Sequence, residues 1–252
     1  MEEHELGLTA LFNNYLAGPA NAILGLFNVT AKDPTRPWED WIVMEILVAV
    51  LLMAVVAVLK AGLSADKPGA LQHIFEGIYG FISTTAEEAG IHHGHQYVPY
   101  IGTIFIFIVS MNMLGIIPAF ESPTMAPWVP AGLAVVTFFY FNVMGFRANG
   151  IGYLAQFVGP VRFPNRIATV AVCVFMLPIE TMSVLIRPLS LTVRLYGNMF
   201  AGEQVTQVFL SLTKLVIPVI FMGLHIFVGL VQAYVFTLLT TIYVAIATSH
   251  EH

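Results

Sequence analysis

The chain has 252 residues, 58% apolar and only 10% charged, where soluble domains carry about a quarter charged residues, so a water-soluble globule is excluded. Ten Lys and Arg against 15 Asp and Glu leave a formal charge of −5, which supplies no basic surface for a phosphate backbone and speaks against nucleic acid as a partner. The single cysteine, Cys173, lies in an apolar run; it cannot form an internal disulfide and is read as inert packing.

The opening MEEHELGLTALFNN carries three Glu where a signal peptide would be positive, so no cleaved targeting segment is expected. Residues 1–37 are expected to form a small extracytoplasmic cap or to stay partly disordered, ahead of a membrane domain over 38–252. Trp41 to Leu59 is a 19-residue apolar run whose one charge, Glu45, sits near an end; it is long enough for roughly 30 Å of hydrocarbon and predicts a first crossing over 38–60. After the break GLSADKPG, the stretch LQHIFEGIYGFISTTAEE spaces apolar groups at helical intervals with Glu and His between. It suits a helix lying at the membrane surface, or an ordinary soluble connection. His92, His93 and His95 follow in IHHGHQ, without a cysteine or a close carboxylate array, and are read as a solvent-facing loop rather than a metal site.

Val98 to Phe120 and Ala126 to Phe146 are uncharged runs of 23 and 21 residues joined by a turn centred on Pro123. They predict a transmembrane hairpin with crossings over 98–120 and 126–146. Ile151 to Pro164 is too short and interrupted to span, and with Arg147, Arg162 and Arg166 beside or within it it reads as interfacial.

The remaining apolar sequence is too long for simple crossings. Ile167 to Thr213 holds 47 residues with only Glu180, Arg187, Arg194 and Glu203 charged, and Leu215 to Ser249 another 35 with none except a protonated His225. As helices these would measure about 70 and 52 Å, so they must tilt or break, with Pro178, Pro188 and Pro218 as possible kinks. Two long oblique helices, 167–213 and 215–249, are expected in preference to four short spans. If the five crossings alternate, Lys60, Lys67, Arg147, Arg162 and Arg166 share one side. The positive-inside rule then puts the amino terminus outside and the carboxy terminus in the cytoplasm.

Glu180, Arg187 and Arg194 recur every seven residues and share one helical stripe; Asn198 lies near it, and Glu203 faces roughly the other way. An arginine at bilayer depth costs about 2.5 to 3.5 kcal/mol on insertion scales and needs a partner, a water path or an interfacial position. A mobile carboxylate on another membrane subunit would stay ionised beside Arg194 and take up a proton away from it. That cycle couples rotation to transport if separate aqueous paths reach the carboxylate on either side of the arginine. Glu180, Glu203, His225, Gln232, Asn198 and Ser190 suit a hydrated relay, with His225 and Gln232 on one face. The alternatives stay open for each: snorkelling or an ion pair for Arg187, satisfied structural carboxylates for Glu180 and Glu203, and interhelical packing for the neutral groups.

The run IRPLSLTVRLYGNMFAGEQV, Ile186 to Val205, resembles the signature of subunit a of F-type ATP synthases, the membrane stator facing the rotating c-ring. LPIETMSVLI upstream, MNMLGIIPAF around Asn112 and LHIFVGLVQAYVFTLLTTIYVAIA downstream are similar to the same family, from about Trp41 to the end. The resemblance implies an all-α integral membrane protein with five crossings and interfacial segments. Its last two helices would form a long, strongly tilted hairpin against the ring.

The resemblance also makes Arg194 the arginine that separates the entry and exit half-channels. It puts Glu203, His225 and Gln232 near the extracytoplasmic entry, with Asn198 near the interface and Asn112 contributing. Glu180 and Ser190 belong to the cytoplasmic route, and Arg187 is a secondary basic position. Gly115 stands where some relatives carry a carboxylate in the first hairpin, so the resemblance does not carry a direct acid relay to that position, and water or Glu203 is left to serve instead. No catalytic residue and no cofactor are implied. The transported ion is H+ in preference to Na+, the partners are the c-ring, the subunit b stalk, the rest of the F0F1 complex and lipid, and the location is a bacterial inner membrane. HExxH, GxxxxGK and GxSxG are missing, which weakens metalloprotease, P-loop pump and hydrolase readings. The rival classes are an ion-coupled secondary transporter whose helices form its whole path, and a structural membrane scaffold.

Overall fold

The computed structural model describes residues 6–26, 33–64, 67–91, 94–117, 120–153, 166–212 and 216–249, and among them every regular element is helical. In chain order these are α1 (Gly7–Leu26), α2 (Asp40–Ala61), α3 (Ala70–Glu88), α4 (Val98–Leu114), α5 (Trp128–Asn149), α6 (Arg166–Leu212) and α7 (Val216–Thr248), with 3-10 turns at Gly94–Gln96 and Pro123–Met125. Four of them, α2, α5, α6 and α7, are long and apolar enough to cross a membrane; α4, at 17 residues, measures about 25 Å. The chain is thus a multi-pass membrane protein.

The two long segments are each one helix. α6 runs 47 residues through Pro178 and Pro188, and α7 runs 33. A proline lacks the N–H its turn would use. Beside both prolines a threonine hydroxyl donates to a backbone carbonyl, Thr181 to Leu177 O at 2.7 Å and Thr192 to Pro188 O at 2.9 Å. α7 hides its hydroxyls similarly: Thr237, Thr240 and Thr241 are buried, and each donates to the carbonyl four residues back, the usual way to keep threonine in an apolar helix.

The backbone divides into two compact units, one drawing on 1–69, 106–129 and 197–231, the other on 70–105, 130–196 and 232–252. In the first, α1 is docked onto the segment before α2. The Asn13 amide donates to Trp38 O at 3.2 Å, its oxygen accepts from Trp38 N at 3.0 Å, and the Trp38 indole donates to Leu16 O at 3.0 Å. The amino-terminal segment therefore includes an ordered helix held by backbone-directed bonds. Val43, Met44, Ile108, Met111 and Met199 are buried here.

The same unit contains the end of α4. The apolar run expected to cross over 98–120 is helical only to Leu114. At Gly115 the chain folds back so tightly that a Cβ there would lie 2.9 Å from the Ser122 Cβ; only glycine leaves that approach open.

In the second unit, buried Ile82, Ile101, Phe141, Tyr153, Val184 and Val244 form a continuous core. α3 buries Ile82, Thr85 and Ala86 while exposing His73, Glu76, Glu87 and Glu88, an amphipathic helix as its spacing predicts. It ends in a Schellman motif: Gly90, at φ 81°, donates to Glu87 O, and Ile91 N donates to Ala86 O at 3.1 Å. His95 lies in the following 3-10 turn; His92 and His93, most of the interfacial stretch predicted over 151–164, and Arg162 lie outside the described residues.

Candidate ion-translocation site

α6 carries most of the candidate groups, and its apolar stretch is largely exposed. Arg194 is exposed on it, directly after Val193 and five residues after Leu189, each 60% exposed. Among the described residues no carboxylate lies within ion-pair distance of Arg194. Asn198, one turn on, is exposed as well. A permanent cation on an apolar helix face is costly in a bilayer unless a partner, a water path or an interfacial position compensates it.

Arg187 behaves differently although it shares the heptad spacing. It is half-buried, and its guanidinium carbon lies 5.2 Å from the centre of the Tyr243 ring, a cation–π contact that partly replaces lost hydration. Glu180 and Ser190 are half-buried on the same unit's stretch of α6, and Gln232 of that unit is buried on α7. The polar stripe of the sequence is therefore one helix face with two kinds of arginine, one docked on an aromatic ring and one turned outward.

In the other unit, Glu203 and His225 are brought together. His225 is 6% exposed, and among the described residues neither ring nitrogen has a hydrogen-bond partner. Such an orphan needs an explanation, since leaving a buried polar group unpaired costs about 1 to 3 kcal/mol. The charge that faces it is Glu203, half-buried and accepting a 3.2 Å bond from the Gln207 amide. Gly202 makes the approach possible: a Cβ there would stand 2.7 Å from His225 Nδ1. The pair is a buried proton acceptor beside a carboxylate, an arrangement fit for proton exchange.

Asn112 is fully buried in this unit, and its bonds are satisfied. Its amide donates to Gly229 O of α7 at 2.9 Å, and its oxygen accepts from Thr124 Oγ1 at 2.8 Å. Thr124 in turn shares a 2.7 Å bond with Ser122, whose hydroxyl lies 3.1 Å from Met111 O. At Gly229 a Cβ would lie 3.2 Å from the Asn112 Cβ, so the glycine admits the carboxamide. Sequence reasoning missed Ser122, Thr124, Gly202, Gly229 and Tyr243. The one available signal was the glycine directly before Glu203 in the AGE signature; the others are contacts between distant segments. Among the described residues no cluster of His, Cys, Asp and Glu could hold a metal ion.

Ionisable groups set within and along long apolar helices define an ion-conducting membrane protein. The family model of the ATP synthase A chain matches residues 42–245. The chain is 50% identical over 243 residues to the ATP synthase subunit a of Solibacter usitatus, covering 96% of this chain and all of that one. It is 48% identical to that of Koribacter versatilis over 99% of both, and 37% identical to that of a Sulfurihydrogenibium species over 85% of this chain and all of that one. The chain belongs to the subunit a family of F-type ATP synthases.

Proposed function

We propose that Arg194 is the fixed positive charge past which the carboxylates of a rotating ring are carried, and that it keeps two offset half-channels from joining. The chain is the proton-translocating stator of an F-type ATP synthase and has no catalytic step of its own. A proton enters from the extracytoplasmic side through the Glu203 and His225 region, with Gln232 and Asn198 along the way, and neutralises a ring carboxylate. After nearly a full turn that carboxylate meets the route containing Glu180 and Ser190, releases the proton, and is drawn ionised to Arg194. Each charge falling through about 100 mV yields roughly 2.3 kcal/mol, so several protons must be coupled through rotation for each ATP.

The geometry that suits this role is a hairpin of α6 and α7 leaning strongly against the ring. Helices of 47 and 33 residues measure about 70 and 50 Å against roughly 30 Å of hydrocarbon. Five crossings would leave the amino terminus outside a bacterial inner membrane and the carboxy terminus in the cytoplasm, with subunit b and the rest of the complex as partners. Arg187, docked on Tyr243, serves packing, and Asn112 serves by holding α7.

The observation that carries this reading is the exposed Arg194 on an apolar helix face, without an acidic partner among the described residues. Its test is Arg194→Ala in the assembled complex in vesicles: ATP-driven proton pumping is lost while the ring, stalk and this chain still copurify. Normal pumping in that variant contradicts it.

A further inference from the structure

We propose that Glu121 is an additional proton-collecting residue, an outer carboxylate that loads the Glu203 and His225 pair from the extracytoplasmic water. The inference rests on the functional reading above and adds a group to its entry route.

Glu121 sits in the short connection between α4 and the 3-10 turn at Pro123, and its side chain is exposed. The next residue, Ser122, is where the chain turns inward. Ser122 and Thr124 are buried, and through them the hydrogen bonds run to Asn112 and on to Gly229 O. Gly229 lies one turn of α7 beyond His225, whose buried ring nitrogens lack partners among the described residues. The ladder anchors the segment directly after Glu121 inside the unit that also holds Glu203 and His225, and leaves Glu121 itself at the surface.

The charged groups facing Glu121 are Asp40, at the start of α2, and Glu203, on α6. Asp40 accepts from Leu6 N at 3.3 Å, Glu203 accepts from Gln207, and Glu203 is in turn the charge facing His225. Two carboxylates thus lie within electrostatic reach of Glu121, and one of them also within reach of a buried imidazole, which makes this region attractive to a positive ion. Protein around the Glu121 carboxyl strips part of its hydration, and this, ahead of repulsion from Asp40 and Glu203, holds it above the usual glutamate range. A carboxyl so poised keeps a proton at a higher pH than a free glutamate.

The step is a simple exchange. A Glu121 carboxylate oxygen takes a proton from water, the proton passes by way of solvent to the Glu203 and His225 pair, and Glu121 returns to its ionised form. A side chain at 115, just past the end of α4, would strike Ser122, so a carboxylate cannot stand at that position without opening the turn.

The test uses the whole complex in vesicles whose lumen is the extracytoplasmic side. Lumen pH is stepped at fixed membrane potential, and the initial rate of ATP synthesis is read. For Glu121→Gln the rate should match the parent at the most acidic lumen pH and fall about threefold or more below it near neutrality, where proton supply limits. Glu121→Asp should recover most of the loss. An unchanged pH profile for Glu121→Gln overturns the proposal, as does a uniform loss at every pH that Asp does not repair. Arg194→Ala in the same preparation separates the two readings: if it stops synthesis while Glu121→Gln changes nothing, only the role of Glu121 fails, and if synthesis survives Arg194→Ala, the underlying function fails.

Discussion

Asn112 and Arg194 are both polar groups in apolar helices, and the protein treats them in opposite ways. The Asn112 carboxamide is sealed from solvent and engaged on both its nitrogen and its oxygen. The Arg194 guanidinium faces outward with no acidic partner among the described residues. A satisfied buried amide contributes shape and rigidity. An outward cation on an apolar face calls for compensation, which the proposed function assigns to an anion on another molecule. On the proposed function the contrast separates groups that build the path from the group that works on it, and substitutions can break or sharpen it.

The largest effect is expected at Arg194. Arg194→Lys keeps a charge but loses the planar fork, and it should lower ATP-driven pumping by at least about a hundredfold, close to the loss for alanine. A lysine variant pumping near the parental rate would mean that any cation suffices there.

Gly202→Ala comes next. The new Cβ would stand 2.7 Å from His225 Nδ1 and must push the imidazole away from Glu203. Pumping should drop about tenfold or more, with the complex intact by copurification. Parental rates would show that the pairing is dispensable.

Asn112→Ala should act on stability more than on turnover. It removes two buried hydrogen bonds, one to the Gly229 carbonyl and one from the Thr124 hydroxyl, a cost of about 0.5 to 1.5 kcal/mol each, visible as a lower midpoint of thermal unfolding of the detergent-solubilised membrane sector. A variant that unfolds like the parent yet pumps poorly would move Asn112 from the builders to the workers.

Smallest of all is Arg187→Gln. Losing the contact with Tyr243 removes about 0.5 to 2 kcal/mol of cation–π attraction, and pumping should change by less than about twofold. A loss as deep as that at Arg194 would erase the distinction between the two arginines.

Much of the architecture could be read from the chain because hydrocarbon thickness imposes it. The 19-residue run at Trp41 falls within α2, and the long sparsely charged runs after Ile167 are unbroken helices rather than pairs of short ones. Arg194, Glu203 and His225 stood out because charge and imidazole are rare in such sequence. The early end of α4 was not legible: its cause is a close approach of Gly115 to Ser122, and hydropathy sees only that residues 115–120 are apolar. Nor did seven-residue spacing reveal that Arg187 docks on Tyr243 while Arg194 does not, because helical phase fixes a direction and leaves open what lies in it. The bond from Asn112 to Gly229 joins residues 117 positions apart, beyond the reach of any local pattern.

The central claim is that Arg194 meets the carboxylate of a ring. Val193→Cys, at a position 60% exposed beside the arginine, should crosslink to a cysteine placed one turn from the ring carboxylate when the assembled complex is oxidised, and rotation-coupled pumping should stop with it. Efficient crosslinking of that ring cysteine to positions on α2 or α3 instead, with none to Val193→Cys, would contradict the account.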